Sequence, residues 1–125
     1  MAQVITETPG PSSNLPPVRT SIEAAVAVTA ASGQSASFDT YPSKDVALVA
    51  ELTALAGGTS PTVTFSWQHS ADGTTWYAAA TEAALSAAGV KQRTTRDNLM
   101  RYLRVGWATT GTPTTATATF TMQAR

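Results

Sequence analysis

A chain of 125 residues, in which eight Lys and Arg balance eight Asp and Glu and cysteine is absent, has room for one domain and one small core. Zero net charge removes the general electrostatic attraction to nucleic acid or anionic membrane, and the lack of thiols excludes disulfides and thiolate chemistry. Only 13% of the residues are charged, about half the usual share, so threonine, serine and alanine must cover the surface. A small subunit that gains stability by assembling is in keeping with that composition.

The opening stretch, MAQVITETPGPSSNLPP, has neither the basic cap nor the apolar run of a secretory signal, and no segment is apolar for long enough to span a bilayer. Synthesis in a cytoplasm, away from membrane, is the expectation. Residues 1–20 differ in kind from the rest, with Pro9, Pro11, Pro16 and Pro17 among Gly10, Ser12, Ser13 and Asn14. Proline removes amide donors and fixes φ, so this segment reads as an extended arm rather than a helix or a ladder strand. Val4, Ile5, Leu15, Pro16, Pro17 and Val18 are apolar points along it, suited to lying across a partner.

From residue 21 to residue 125 the pattern is that of short β-strands. IEAAVAVTA places Ile22, Ala24, Val26 and Val28 on one face, and ASFDTYP is a weaker strand ended by Pro42. KDVALVAELTAL contains good helix formers, yet Val46, Leu48, Ala50 and Leu52 recur at period two, which predicts a strand buried on much of both faces. SPTVTFSWQHS alternates cleanly, with Val63, Phe65 and Trp67 on one side and Thr62, Thr64, Ser66 and Gln68 on the other. TTWYAAA is a return strand, and ATEAALSAAG reads as a helical turn or loop, with a strand left open. MRYLRVGWATT sets Leu103, Val105 and Trp107 against Tyr102, Arg104 and Gly106. TATATFTMQAR sets Ala116, Ala118, Phe120 and Met122 against threonines, and TGTP at 110–113 predicts a hairpin joining these last two strands. About seven strands at such spacing predict an all-β antiparallel sandwich, Ig-like or jelly-roll-like.

The stretch SWQHSADGTTWY holds two tryptophans, a tyrosine and the single histidine. It is first a turn: Asp72-Gly73 is a strong hairpin signal, Ser70 can bond the turn's own backbone, and Trp67 and Trp76 flank it on paired strands. The segment is similar to the Asp-box of sialidase propellers, one residue short and present once; that box is a device of the fold. A sugar-stacking platform would use Trp76, Tyr77 or Tyr102 beside Asp72 or Gln68. His69 has no nucleophile to activate, one histidine with scattered carboxylates makes no metal cluster, and no phosphate-binding glycine loop occurs. The expectation is a protein without catalytic residues, cofactor or metal. Lys91, Arg93, Arg96, Arg101 and Arg104 gather five of the eight basic residues near one another in sequence. They read as a solvated face or as a docking patch for an acidic partner surface, and not as a nucleic-acid site, because the total charge is zero.

TVTFSWQHSADGTTWY and RYLRVGWATTGTPTTATATFTMQAR together resemble small structural proteins of tailed-bacteriophage morphogenesis modules, over about Ala47 to Arg125. The resemblance implies a virion protein with no catalytic residues, nearest in role to a capsid decoration or cement protein. Such a protein's β-sandwich body sits on the outer shell of major capsid protein while a terminal arm reaches across neighbours. A homotrimer is expected before a dimer. A tail-associated subunit and a carbohydrate-binding module are the competing expectations.

Overall fold

A computed structural model describes residues 3–8, 18–41, 43, 45–95 and 99–125; for 93–95 it describes the backbone alone. Ten strands follow one another among the described residues: β1 (Gln3–Thr8), β2 (Val18–Ala27), β3 (Ser32–Gln34), β4 (Phe38–Asp39), β5 (Val46–Ala56), β6 (Thr62–Ser70), β7 (Tyr77–Thr81), β8 (Gly89–Thr95), β9 (Tyr102–Thr110) and β10 (Thr115–Ala124). They form two antiparallel sheets, the first in the order β1-β2-β10-β5-β8 and the second β3-β9-β6-β7, with β4 pairing further along β9. The chain is thus all-β and sandwich-like.

Period two decides which side chains are inside. Val46, Leu48, Ala50 and Leu52 of β5 are buried, which overrides the helix propensity of that stretch, because only a strand puts all four on one face. Val63, Phe65 and Trp67 of β6, Leu103 and Val105 of β9, and Ala116, Ala118, Phe120 and Met122 of β10 are buried as their alternation requires. Phe120 lies between the sheets. Its ring meets Phe65 edge-on at 5.6 Å and stacks on Trp107 at 5.7 Å, joining the layers through three aromatics.

Four expectations need correction. Ile22 and Ala24 point outward, not inward, because β2 changes phase: the pairing with β10 shifts between Ala118 and Phe120, and Ala25 takes a left-handed φ of 54°. An inserted residue moves every side chain on one flank to the other face, so Ser21 and Glu23 face inward with Val26 and Val28. The boundary drawn at residue 20 falls inside β2. Gln3–Thr8 of the expected arm is a ladder strand on β2, which adds to the strand count. Residues 82–88 are a loop, one of the forms expected of them, and Leu85 bridges back from it to Val63. Finally, residues 110–113 do not make a hairpin, since β9 belongs to the second sheet and β10 to the first.

That last segment is one of two arches that cross between the sheets side by side. Residues 57–61 carry the chain from β5 to β6 and residues 111–114 from β9 to β10, with the Thr59 amide donating to the Gly111 carbonyl (2.9 Å) and Thr114 to Ala56 (3.0 Å). Gly58 (φ 67°) and Gly111 (φ 78°) are where the arches touch; a Cβ on Gly58 would collide with the Gly111 carbonyl oxygen. Gly58→Ala is therefore expected to cost about 2–3 kcal/mol, read as a lower urea midpoint with an unchanged slope.

Candidate functional site

The segment from Ser66 to Tyr77 is a hairpin whose polar residues serve the turn. The buried Ser70 hydroxyl donates to Asp72 Oδ1 (2.9 Å) and accepts from the Gly73 amide (2.9 Å), while Asp72 Oδ1 also accepts from the amides of Thr74 and Thr75, both at 2.8 Å. Those amides, first Thr75 and then Thr74, together with Ser70 hold the Asp72 carboxyl down at about 2. Gly73 supplies the positive φ of 79° that the bend needs. The tryptophans separate: Trp67 is in the core, its Nε1 donating to Glu82 Oε2 at 2.7 Å, and Trp76 sits half-buried just ahead of β7. The Arg104 guanidinium lies 4.2 Å above the Trp76 ring, and its Nε donates to Gln68 Oε1 at 2.7 Å. His69 Nδ1 accepts from the Met100 amide at 3.3 Å.

The basic residues are divided between the sheets. Lys91 and Arg93 lie on β8, an edge of the first sheet, opposite Ala50 and Leu48, while Arg101 and Arg104 belong with β9 of the second. Arg96 lies outside the described residues, and of Arg93 only the backbone is described. Arg101 donates to both oxygens of Asp39, at 2.9 and 2.8 Å, between the rings of Tyr41 (4.9 Å) and Tyr102 (5.1 Å). That fork holds the Asp39 carboxyl below the ordinary carboxylate range and raises the Arg101 pKa; burial lowers that of Arg104. Arg104 on β9 and Arg101 just before it are thus engaged within the chain, and the structure does not bring the five cations together on one strand or one sheet.

The N-terminal residues form the third site. β1 pairs with β2 from Gln3↔Glu23 to Thr8↔Val18, so Val18, expected in the arm, starts a ladder strand. Leu15, Pro16 and Pro17 lie outside the described residues. Val4 is 56% exposed and Ile5 50%, and Val4 stands opposite Ile22, itself 42% exposed. An apolar edge is left open.

Beneath that edge runs a polar seam which the sequence reading missed. Gln3 Nε2 donates to the Ser21 hydroxyl (2.5 Å) and the Ser37 carbonyl (3.2 Å). Arg19 donates to the carbonyls of Asp39 and Tyr41 (2.8 Å to the latter), with its guanidinium 5.2 Å over Phe38. Glu23 Oε2 accepts from the Ala36 amide at 2.9 Å. All three reach residues 36–41, around the break between β3 and β4, and the break has its own substitute: Ser35 Oγ accepts from the Val105 amide at 2.8 Å in place of a backbone carbonyl. Arg19, Ser21 and Glu23 recur at period two, and that polar stripe was the signal. Set against the apolar residues of the same run, it looked like the solvent face.

Among the described residues, no group of three or more His, Asp or Glu could hold a metal ion, and no helix is long and apolar enough to cross a membrane. No family model matches the chain, and no curated protein does. Among solved structures it is similar to one described as PirA, at 12% identity and a TM-score of 0.43, over 75% of this chain and 82% of that one. It is also similar to one from Bacillus endospore appendages, described as a novel family of disulfide-linked pili, at 17% identity and a TM-score of 0.45, over 99% of this chain and 90% of that one.

The Asp72 turn should be sensitive to acid. Its folded-state value of about 2 lies below the ordinary 3.8, so its contribution is complete above the ordinary value and is lost as pH falls through the interval down to about 2. Urea midpoints compared at about pH 5 and about pH 2.5 should fall less in Asp72→Asn than in the parent chain, leaving the smaller loss expected from Asp39.

Proposed function

We propose that this chain is a non-enzymatic structural subunit that works by surface adhesion, and specifically a decoration protein on the outer shell of a tailed-phage capsid. The observation that carries this reading is the outer face of the first sheet. Val4, Ile22, Thr121, Val49 and Gln92 lie in one cross-strand row, and Thr6, Thr20, Gln123, Ala47 and Thr94 in another. Neither row contains an ionised side chain. These two rows, five strands wide, can be covered by another protein without stranding a charge; Glu51 stands beyond them on the same face, in the row of Thr119 and Val90, and the face ends in an edge strand with exposed apolar side chains.

The order of strands supports the reading at a finer level. With β3 and β4 taken as one interrupted strand, β2-β10-β5-β8 facing β4/β3-β9-β6-β7 is the order of an eight-stranded jelly roll, and β1 is an added strand outside it. Jelly rolls serve in viral capsid and lectin domains alike. The lectin reading is the weaker because one face of Trp76 lies under Arg104 and Asp72 is occupied by its own turn. The partner is the major capsid protein, and repeated copies, as trimers before dimers, multiply weak contacts into lasting attachment.

The test removes residues 1–17, ending before Val18 so that β2 stays whole. The truncated chain should remain folded by circular dichroism and lose at least tenfold in binding to purified undecorated heads. Equal decoration by the truncated chain would overturn the role given to β1, and recovery of the intact chain with tails rather than heads would overturn the capsid assignment.

A further inference from the structure

β1 stands apart from the rest of the domain in what it contributes. None of its six residues is buried: Gln3 is half-buried and the other five are exposed. Its ladder on β2 and the reach of Gln3 to Ser21 and Ser37 are its attachments among the described residues. Releasing β1 therefore leaves the aromatic core and both arches as they are, at the cost of a ladder and one amide contact.

The chain between β1 and β2 is the second observation. Residues 9–17, PGPSSNLPP, make nine residues where antiparallel neighbours are usually joined by two to five. Four of the nine are proline, and each proline also biases the residue before it toward extended backbone. Such a composition favours a bridge over a tight reversal. Nine residues at polyproline spacing span roughly 28 Å, slightly more than the ~24 Å width of a five-stranded sheet.

The third observation is the selectivity of the slot beside β2. A strand laid there meets more than backbone: position 3 must offer an amide to the Ser21 hydroxyl and the Ser37 carbonyl, and position 7 places Glu7 opposite Arg19, acid across from base. The slot is thus matched to QVITET itself. The opposite edge of the same sheet, β8, carries Lys91 and Arg93 in register with the buried Ala50 and Leu48. A charge placed toward the core side of an edge strand is a common guard against edge pairing; Lys91 holds such a place on β8, whereas on β1 the charge on that side, Glu7, stands opposite Arg19 of β2.

We propose that β1 exchanges between copies of this chain, so that in the assembled form the β1 of one subunit lies beside the β2 of its neighbour in the register seen here. The partner is a second copy, the linker 9–17 is the bridge, and Gln3 is the register lock. Exchange fills the same slot with the same contacts, so it changes little in local energy while tying each subunit covalently into its neighbour's sheet. It holds whether or not the assembly sits on a capsid.

Absence of cysteine makes the test clean. Residues opposed in an antiparallel ladder have Cα atoms about 4.5–5.5 Å apart, within disulfide range, and Val4 opposes Ile22. A Val4→Cys chain and an Ile22→Cys chain are unfolded, mixed at high concentration, refolded and oxidised. The mixed Val4–Ile22 disulfide dimer should be the major cross-linked species, and adding Gln3→Ala to the Val4→Cys chain should reduce it several-fold. The double variant Val4→Cys/Ile22→Cys, refolded at high dilution, should close within one chain and so verifies the register; failure to close would overturn the slot. A mixture of Val4→Cys with Val90→Cys tests the opposite edge. Dominant Val4–Val4 dimers, dominant Val4–Val90 dimers, or mixed Val4–Ile22 dimers no more abundant than in that control would each overturn the exchange.

Discussion

One left-handed residue governs the edge on which this protein's proposed role depends. Ala25 sits at a φ of 54°, opposite a shift in register on β10, and there β2 changes the face it presents to the core. On one side of the bulge Val26 and Val28 are buried with the hydrocarbon core; on the other Ser21 and Glu23 are buried toward the second sheet. Left-handed backbone at a residue with a side chain costs about 1–2 kcal/mol. The bond from the Ala36 amide to Glu23 is one contact that the phase change makes possible and that is set against that strain. Without the phase change, Glu23 would point to solvent, and Ile22, now beside Val4 on the outer face, would take an inward place.

The seam that results adds side-chain ties between the sheets beside the β2–β3 crossing. On the side of the arches, backbone passes directly from sheet to sheet at 57–61 and 111–114. Along β2, from which residues 28–31 also carry the chain across to β3, side chains add to the tie: Arg19, Ser21 and Glu23, with Gln3 from β1, are bonded to one another or to residues 36–41. Those residues have backbone to offer because the β3–β4 strand is interrupted, and Ser35 takes over the ladder bond to Val105. The same seam forms the slot in which β1 lies. Polar edge chemistry and apolar exposure are thus arranged back to back on the β1–β2 pair, one facing the second sheet and the other facing outward.

The residues that most suggest chemistry have structural occupations. Asp72 is taken up by two amides and a hydroxyl, Trp67 by the core and Glu82, Arg104 by Trp76 and Gln68, and Arg101 by Asp39 between two tyrosines. Exposed ion pairs of the Arg101–Asp39 kind contribute little to stability. Their effect here is positional, since Asp39 is the residue whose carbonyl Arg19 also bonds. What remains open on the surface is area: rows of threonine, glutamine and aliphatic side chains on a broad sheet.

Local pattern was enough to read the strands and much of the core. Alternation at period two placed Val63, Phe65 and Trp67 inside, and likewise Ala116, Ala118, Phe120 and Met122, because a pleated strand sends successive side chains to opposite faces whatever it pairs with. Asp72-Gly73 was legible as a turn because its bonds close within a few residues. Sheet membership was not legible. The residues of TGTP suit a hairpin and an inter-sheet arch equally, and only the pairing of β10 with β2 and β5 decides between them. The inward phase of Arg19, Ser21 and Glu23, the lodging of Gln3–Thr8 on β2, and the separation of Lys91 from Arg101 and Arg104 follow from that same pairing. The amino-acid sequence by itself determined most of the strands from β5 onward and the faces that build the core, since these depend on neighbours one and two residues away; the lodging of β1 and the phase of β2 it did not determine. Tertiary structure alone decided which strands meet and which polar groups find partners, since those bonds join residues far apart in the chain.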